Sequence, residues 1–390
     1  MIHQNNRIVL LIIPNLSFGG AQRSFSKLSV ELSKYYTVVN VVFNKDGIVD
    51  FPLGGELFDL GVARSTWLGG KLINFWKRVY RLSNLKRRTS VYASISFLEG
   101  ADYSNFLSHR GEKLIFSVRG SKKYDQNIHG LQGFIRHNIL IPFVYKKANL
   151  VVAVNMGVAD ELVNIYRLKN PVEVIYNFYN FDRIKQEGLE NISAEFEEIR
   201  KRSKIICLVG RLEIEKGLDR FLPVFRRILN QVSVKLLIIG DGNLKQSLIE
   251  QSHNLNLITS EEIDQHADVL FVGYQSNPYK YISKCDVLAL PSTHEGFPNV
   301  LLEAMILGVP VASADCPYGP LEILKTNNID IAGLLLPVLN SIESEKTWEE
   351  SLLKLFTDSH LKLALSKKGY LRAITFSESN AISKWLKLIE

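Results

Sequence analysis

The sequence has few cysteines and no long apolar run, and each of these features excludes certain classes of protein. Its three cysteines, Cys207, Cys285 and Cys316, are widely spaced, which argues against a disulfide framework and against a zinc cluster. The apolar run at residues 8–13 ends at Pro14 and is too short for a signal-peptide core or a membrane span. We therefore expect a cytoplasmic protein, or one held peripherally on the cytoplasmic face of the membrane.

Two motifs of phosphate chemistry are missing as well. No Gly-Lys-Ser/Thr phosphate loop occurs in the chain, which argues against an ATPase. No Asp-x-Asp pair occurs either, so a metal-bridged diphosphate has no obvious ligands. We expect a site that uses neither a metal ion nor a cofactor.

Acidic residues are absent from one long stretch. Residues 60–98 contain eight Lys and Arg residues and no Asp or Glu. The net charge of residues 1–180 is +11 and that of the remaining chain is −4, which together give the +7 of the whole protein. Such an uneven distribution indicates an anionic partner for the first half only.

The length and the apolar pattern predict two α/β domains. A chain of 390 residues exceeds the size at which a single hydrophobic core stops growing. In both halves, apolar runs of strand length alternate with helical segments, which is typical of parallel sheets. The predicted strands lie at residues 8–13, 38–43, 93–97, 114–118, 150–154, 205–209, 234–239, 269–272, 287–290 and 309–313.

A polar, charged segment at residues 178–203 indicates the boundary between the two domains. We assign residues 1–180 to the first domain and residues 181–375 to the second. A helical pattern near the C-terminus predicts that residues 376–390 cross back to the first domain. Two Rossmann-like domains facing each other would bind ligands in the cleft between them, beyond the carboxyl ends of their strands.

Two glutamates stand out in the segment at residues 293–305, just after the predicted strand at 287–290. Glu295 precedes a helix whose first turn suits Pro298, and Glu303 lies within the first two turns. The N-terminus of such a helix favours a phosphate, whereas carboxylates suit the hydroxyl groups of a sugar and a ribose. The alternative is a strand–loop–helix whose glutamates are simply solvated.

Two cations follow the predicted strand at residues 205–209. Arg211 and Lys216 stand where a strand ends and a helix begins, a position from which they could neutralise a diphosphate without a metal ion. Gly19 and Gly20 follow the first predicted strand and would let the backbone approach a ligand. Ordinary surface basicity and a tight turn without a ligand are the alternatives.

These motifs closely resemble those of the glycosyltransferase family 4 proteins, which have the GT-B fold. The resemblance rests first on the spacing of Glu295 and Glu303 and on the pair Arg211 and Lys216. The other matching segments are residues 19–21, 154–160, 175–177 and 308–323, the last of which is similar to polysaccharide and glycolipid members. The matches occur in the right order and cover nearly the whole chain.

The resemblance implies a retaining, metal-independent hexosyl- or N-acetylhexosaminyltransferase of polysaccharide, lipopolysaccharide or other cell-surface glycan biosynthesis, with a UDP-sugar as the default donor. It implies that Arg211 and Lys216 bind the diphosphate, that Glu303 holds the ribose, and that Glu295 contacts the donor sugar. The other donor-binding residues that it implies are Gly19, Gly20, Gly210, Gly296, Phe297, Asn299 and Val300.

One position departs from the family pattern. Many relatives carry a histidine after the strand equivalent to residues 114–118, whereas this chain has Arg119. Arg119 could stabilise charge near the reacting sugar, but it stays protonated and cannot act as a base. We assign it a catalytic role together with Arg211, Lys216 and Glu295.

The acid-free stretch mixes aromatic with basic residues, as interfacial helices do against anionic lipid. The residues expected to contact a membrane or an acceptor are Trp76, Lys77, Arg78, Arg81, Arg87 and Arg88. The family resemblance implies a lipid-linked or saccharide acceptor for this domain. The alternative is that the aromatic side chains pack into the first domain and that the charges are solvated.

Other functions stay open at this point. A nucleotide-sugar epimerase of the same fold, or a non-catalytic sugar-nucleotide-binding protein, would share the donor site. Nucleic-acid binding ranks last, because the basic stretch is mixed with bulky apolar residues and no recognised nucleic-acid module occurs.

Overall fold

The computed structural model describes residues 5–17, 19–45, 51–63, 65–122, 130–326 and 330–390. The chain divides into two compact units. The first comprises Met1–Phe178 and Glu378–Glu390, and the second comprises Tyr179–Ser377.

The first unit is built on a seven-stranded parallel sheet. Its strands are β1 (Asn5–Ile13), β2 (Tyr36–Val42), β3 (Glu56–Asp59), β4 (Ala93–Phe97), β5 (Lys113–Val118), β6 (Leu150–Ala153) and β7 (Val172–Val174). Their order across the sheet is β3-β2-β1-β4-β5-β6-β7, so the winding reverses between β1 and β4. Alternate residues of β1 are fully buried in two different core clusters, which explains why this strand is apolar on both faces.

Six helices accompany this sheet in the described part of the chain before it leaves the first unit. They are α1 (Gly20–Leu32), α2 (Leu68–Thr89), α3 (Glu99–Leu107), α4 (Gly130–Ile135), α5 (Ile141–Tyr145) and α6 (Met156–Asp160). A π-helical turn, Arg136–Leu140, joins α4 to α5, and a second, Glu161–Ile165, extends α6.

The second unit repeats the same plan. Its strands are β8 (Lys204–Val209), β9 (Val234–Ile239), β10 (Thr259–Ser260), β11 (Val269–Phe271), β12 (Val287–Leu290), β13 (Val311–Ala314) and β14 (Leu334–Leu336). They are parallel and follow the order β10-β11-β9-β8-β12-β13-β14. The winding therefore reverses between β8 and β12, as in doubly wound Rossmann sheets.

The helices of the second unit begin in the charged segment that the sequence analysis interprets as a boundary. They are α7 (Phe181–Gly188), α8 (Ala194–Arg202), α9 (Leu218–Leu229), α10 (Lys245–Asn254), α11 (Tyr279–Ile282), α12 (Asn299–Ile306), α13 (Gly319–Leu324), α14 (Ile342–Thr357) and α15 (Ser359–Ile374). Side-chain caps at Asn180 and Ser193 begin α7 and α8, because each supplies an acceptor for a backbone N–H of the first turn.

A last helix, α16 (Glu378–Ile389), returns to the first unit. Its residues Ile382 and Trp385 are buried in the same core cluster as Phe25 and Leu28 of α1. The apolar positions of this helix recur at helical spacing, so one face meets the core while the other stays polar.

A fully buried carboxylate lies beside the carboxyl end of β4. Asp102 Oδ1 accepts a hydrogen bond of 2.7 Å from Ser96, and Oδ2 accepts one from the Tyr145 hydroxyl. Burial raises the pKa of Asp102 to about 7, against the opposing effects of Lys122 and of these two hydrogen bonds.

We predict that Asp102 makes the protein less stable as the pH rises from 5 to 8. The unfolded chain loses this proton near its ordinary pKa of 3.8, whereas the folded chain keeps it until about pH 7. The folded state therefore binds more protons in this range, and stability falls by up to about 1 kcal/mol per pH unit. Asp102→Asn should remove this part of the slope in urea unfolding at pH 5, 6, 7 and 8.

The exposed Asp160 of the same unit offers a matched control. Asp160→Asn should leave the slope of the wild-type protein unchanged. An Asp102→Asn slope equal to that of the wild-type protein would contradict the account of this buried group.

Candidate functional site

The predicted cations and glutamates of the second unit lie at the reversal of strand order. Arg211 and Lys216 follow β8, and Glu295 follows β12. These two strands are neighbours, with Cys207 paired to Leu288, and their carboxyl ends lie at the same edge of the sheet. Ligands of doubly wound sheets bind at such a point, because the connections diverge there and leave a crevice.

A salt bridge joins the two loops. Lys216 Nζ lies 2.7 Å from Glu295 Oε1, with side chains that are 20% and 9% exposed. Ser292 Oγ donates to the same carboxylate oxygen at 2.8 Å. The backbone holds the loops in register as well, since Thr293 N donates to Glu215 O at 2.8 Å.

Two glycines allow the loops to come this close. Gly217 has a φ of +66°, and a Cβ there would lie 2.3 Å from Pro291 O. Gly240, which directly follows β9, has a φ of +141°, and a Cβ there would lie 1.8 Å from Gly210 O. At both positions the φ is positive and a neighbouring backbone lies where a Cβ would be. Only glycine fits such a position.

The helix of the predicted segment is α12, and it begins one residue later than expected. Pro298 is the residue before the helix, with an extended ψ of 91°, and Asn299 is the first helical residue. The expectation that Pro298 would occupy the first turn is therefore wrong. Pro298 supplies no side-chain hydrogen bond to this N-terminus, where backbone N–H groups and the helix dipole favour an anion.

Glu303 lies inside α12, as predicted, and is almost completely buried, with 2% exposure. Its Oε1 accepts a hydrogen bond of 3.1 Å from the Tyr279 hydroxyl of α11. Asn299 Oδ1 similarly accepts a hydrogen bond from the Tyr179 hydroxyl. A buried carboxylate is costly unless it is hydrogen-bonded, so Glu303 does not match the alternative of a simply solvated glutamate.

The remaining predicted donor residues surround this pair of loops. Gly210 directly follows β8, and Arg211 beside it is 64% exposed, with its Nη2 atom 3.1 Å from Glu215 Oε1. Gly296 and Val300 are half-buried. Phe297 is buried with its ring 5.9 Å from that of Phe376, in an edge-to-face contact. The structure thus brings the predicted residues of the second unit to one edge of its sheet.

The negative charge of Glu295 affects its surroundings. Burial and the nearby carboxylate of Glu295 together raise the pKa of the Cys316 thiol to about 12, against the opposing effect of Lys216. The thiol is therefore protonated at neutral pH, and we assign it no chemical role.

The predicted residues of the first unit lie at the carboxyl edge of the first sheet. Arg119 follows β5, donates to Asn177 Oδ1, and stacks 5.7 Å above the centre of the Phe97 ring. Asn177 also accepts a hydrogen bond of 2.7 Å from Ser24 of α1. Because α1 begins at Gly20, with Gly19 as the residue before it, Asn177 connects Arg119 to the helix that follows the glycine turn.

Three of these contacts escaped the sequence analysis. Ser292 stands close to Glu295 in the chain and could have been found as a hydroxyl at a strand end. Tyr279 is separated from Glu303 by 24 residues, and Ser24 is separated from Asn177 by 153. No local pattern indicates such distant pairs.

The basic and aromatic stretch forms α2, and four of its apolar side chains are exposed. Leu72, Ile73, Trp76 and Tyr80 are 51–68% exposed, and their spacing places them on one face of the helix. The alternative that these side chains pack into the first domain is therefore wrong for these four residues.

The basic residues of α2 have unequal surroundings. Lys77, Arg87 and Arg88 are exposed. Arg78 stacks on Phe43 at 4.6 Å, and Arg81 donates to the backbone carbonyls of Leu60 and Gly61. Lys86 is buried in a 2.6 Å ion pair with Glu112, and it is not part of the surface. Within the described residues, no helix is both long and apolar enough to cross a membrane.

Comparison with known proteins shows which proteins this part of the chain is similar to. Residues 190–372 match the family model described as glycosyl transferases group 1. This segment covers most of the second unit and contains Arg211, Lys216, Glu295 and Glu303.

Two enzymes of Campylobacter jejuni are similar to the chain. One is N-acetylgalactosamine-N,N'-diacetylbacillosaminyl-diphospho-undecaprenol 4-alpha-N-acetylgalactosaminyltransferase, 30% identical over 65% of this chain and 63% of that enzyme. The aligned part is thus less than two thirds of its length. The other is GalNAc-alpha-(1->4)-GalNAc-alpha-(1->3)-diNAcBac-PP-undecaprenol alpha-1,4-N-acetyl-D-galactosaminyltransferase, 26% identical over 98% of both chains.

Among solved structures, Anabaena HepE in complex with UDP and glucose superposes with a TM-score of 0.75. The sequence identity is 15%, and the match covers 98% of this chain and 99% of that one. At this identity the similarity concerns the fold. The predicted fold class is confirmed: the protein has the α/β GT-B fold, with a parallel Rossmann-like sheet in each unit.

We predict that Gly240→Ala destabilises the second unit. The new methyl group would overlap the carbonyl of Gly210, and the φ of Gly240 disfavours any side chain. Strain of this kind costs about 1–3 kcal/mol, which urea unfolding would detect. Gly210→Ala is the control, because a Cβ there meets only Lys216 carbons at 3.8–3.9 Å. Equal stabilities of the two variants would contradict this account of the loop contact.

Proposed function

We propose that the protein is a glycosyltransferase that moves a sugar from a nucleotide-diphosphate sugar, by default a UDP-sugar, to a lipid-linked or saccharide acceptor in cell-surface glycan biosynthesis. The observation that carries this proposal is the joint placement of Lys216, Glu295 and buried Glu303 at the strand-order reversal of the second unit. The match of this part of the chain to the glycosyl transferases group 1 model supports it.

The two cations would act on the leaving group. Arg211 and Lys216 follow one strand end and carry fixed positive charges, which a diphosphate needs when it departs. Stabilising the charge that develops on a leaving group is often the largest single contribution to catalysis. We infer that these residues take the place that a divalent metal ion has in metal-dependent transferases.

The two glutamates would recognise hydroxyl groups. Glu303 is buried and fixed by Tyr279, which suits it to the ribose. Glu295 lies in the loop before α12, beside Lys216, which suits it to the sugar next to the diphosphate. The helix N-terminus at Asn299 and Val300 would face the phosphates.

We further propose that the sugar keeps its anomeric configuration, which the family resemblance implies. Arg119 is held by Asn177 on the first unit, and its permanent charge suits it to stabilising a phosphate rather than to removing a proton. A same-fold epimerase and a non-catalytic nucleotide-sugar-binding protein would bind the donor but would form no glycosylated acceptor.

The acceptor side of the proposal rests on the first unit. Both Campylobacter relatives are named for undecaprenol-linked glycan substrates. The exposed apolar face of α2 beside Lys77, Arg87 and Arg88 is the combination that an anionic lipid surface favours. We propose peripheral attachment to the cytoplasmic face of the membrane through this helix, where a lipid-linked acceptor is found.

We predict that one nucleoside diphosphate among UDP, GDP and ADP raises the melting temperature in the presence of EDTA, because a ligand that binds only the folded state stabilises it. UDP is the expected one. Lys216→Ala, Arg211→Ala and Glu303→Ala should each reduce the shift, since each removes a proposed contact. Differential scanning fluorimetry over a nucleotide titration measures the effect.

Matched controls lie in the same unit. Lys346→Ala and Glu350→Ala remove an exposed cation and an exposed carboxylate of α14, a helix that follows neither β8 nor β12, and both should keep the full nucleotide shift. Absence of a shift with all three nucleotides in the wild-type protein would count against a nucleotide-sugar enzyme.

We predict that replacing Lys71, Lys77, Arg87 and Arg88 by Gln releases the protein from phosphatidylglycerol-containing vesicles. These four side chains are exposed on α2, and each basic residue near an anionic surface contributes about 1 kcal/mol of binding. Sedimentation with vesicles at low salt measures the bound fraction.

The control replaces Arg200, Lys201 and Arg202 of α8 by Gln, which removes exposed charges of the same sign from the second unit. This variant should sediment as the wild-type protein does. Equal sedimentation of the α2 variant and the wild-type protein would reject attachment through α2.

A further inference from the structure

The salt bridge between Lys216 and Glu295 occupies two groups that the donor needs. Lys216 Nζ and Glu295 Oε1 are 2.7 Å apart and largely shielded from water. A phosphate oxygen would compete with Glu295 for the ammonium group, and a sugar hydroxyl would compete with Lys216 for the carboxylate. While the pair is intact, the ammonium group and the carboxylate each share their charge between this partner and their proposed ligand.

We propose that donor binding exchanges this ion pair. The diphosphate takes Lys216 from Glu295, and the released carboxylate then accepts hydrogen bonds from the donor sugar. This inference rests on the proposed function and deepens it. Glu295 then discriminates between two ligands. The nucleotide sugar offers a new partner to both Lys216 and Glu295, whereas the free nucleoside diphosphate offers one to Lys216 only.

The surroundings of the pair suit such an exchange. Ser292 is fully buried and donates to the same oxygen of Glu295 at 2.8 Å. The carboxylate therefore keeps a hydrogen bond when Lys216 leaves, which avoids the large penalty of an uncompensated buried charge. Backbone hydrogen bonds of 2.9 and 2.8 Å between Glu295 and residues 317 and 318 hold its main chain in place.

Lys216 is the partner that can move. Its side chain is a flexible four-carbon stem, and its terminal carbons lie beside Gly210, where a Cβ would be only 3.8–3.9 Å from them. The missing side chain of Gly210 leaves room for the stem to turn toward a phosphate. The neighbouring pair of Arg211 and Glu215 is 64% and 37% exposed, so water screens it and its loss changes affinity less.

The exchange has a consequence for the product. After transfer, the nucleoside diphosphate no longer carries the sugar that satisfied Glu295. The carboxylate then competes again for Lys216, which weakens the hold on the diphosphate. Glu295 thus favours release of the spent nucleotide as well as selection of the intact donor.

The test measures UDP binding by isothermal titration calorimetry in EDTA, with Glu295→Gln as the main variant. Glutamine has the same shape and still accepts a hydrogen bond from Ser292, but it lacks the charge that holds Lys216. We expect UDP to bind about three- to tenfold more tightly to Glu295→Gln, because one largely shielded ion pair no longer opposes its binding. The affinity for UDP-N-acetylgalactosamine, divided by that for UDP, should fall.

Glu213→Gln controls for the removal of negative charge in general. Glu213 is on the same loop, accepts from Asn243 at 3.1 Å, and makes no salt bridge with Lys216 or Arg211 among the described residues. It should change the UDP affinity by less than about twofold, as expected of a partly exposed charge.

Three results would overturn the exchange. Equal or weaker binding of UDP to Glu295→Gln would show that the ion pair does not oppose the diphosphate. An equal gain in Glu213→Gln would show a general effect of charge. Failure of UDP, GDP and ADP to bind the wild-type protein would instead remove the proposed function, and the exchange with it.

Discussion

The reversal of strand order between β8 and β12 is the constraint on which the proposed donor site depends. Neighbouring parallel strands end at the same edge of the sheet, while their connections diverge to its two faces. Arg211 and Lys216 follow the end of β8, and Glu295 follows the end of β12. The crevice that results is lined by opposite charges before any ligand enters it.

Close approach of the loops turns this topology into a defined site. Gly217 and Gly240 stand against the backbone of the neighbouring loops, and the Lys216–Glu295 pair joins the loops across the reversal. Glu303 enters the same edge from within α12, where burial and Tyr279 fix it. A charge held in a fixed position, as that of Glu303 is, needs little reorganisation during the reaction, which is the physical basis of electrostatic catalysis.

Much of this organisation follows from the sequence. The buried strands at Ala93–Phe97, Val234–Ile239 and Val287–Leu290 have the predicted bounds, because continuous apolar runs are the signature of strands buried on both faces. Strands β3, β7, β10 and β14 were not predicted. They have two to four residues and are partly exposed, so their apolar pattern is too short to distinguish from a loop.

The site shows the same division. The positions of Glu295 in a loop and Glu303 in a helix follow from local pattern. The ion pair of Lys216 with Glu295 spans 79 residues and depends on which strands become neighbours, which no local pattern contains. The sequence also does not show whether Trp76 and Tyr80 are exposed, because a helix that mixes aromatic and basic residues can bury either face.

The central claim is that cationic side chains replace a metal ion in a sugar-transfer site. The most direct measurement is the transfer of radiolabelled sugar from a panel of UDP-sugars to a bacterial lipid extract, with EDTA present throughout. We expect one donor to yield a labelled lipid-linked glycan at the same rate with and without EDTA. Labelling that requires an added divalent metal ion, or no labelled glycan from any donor, would contradict the account.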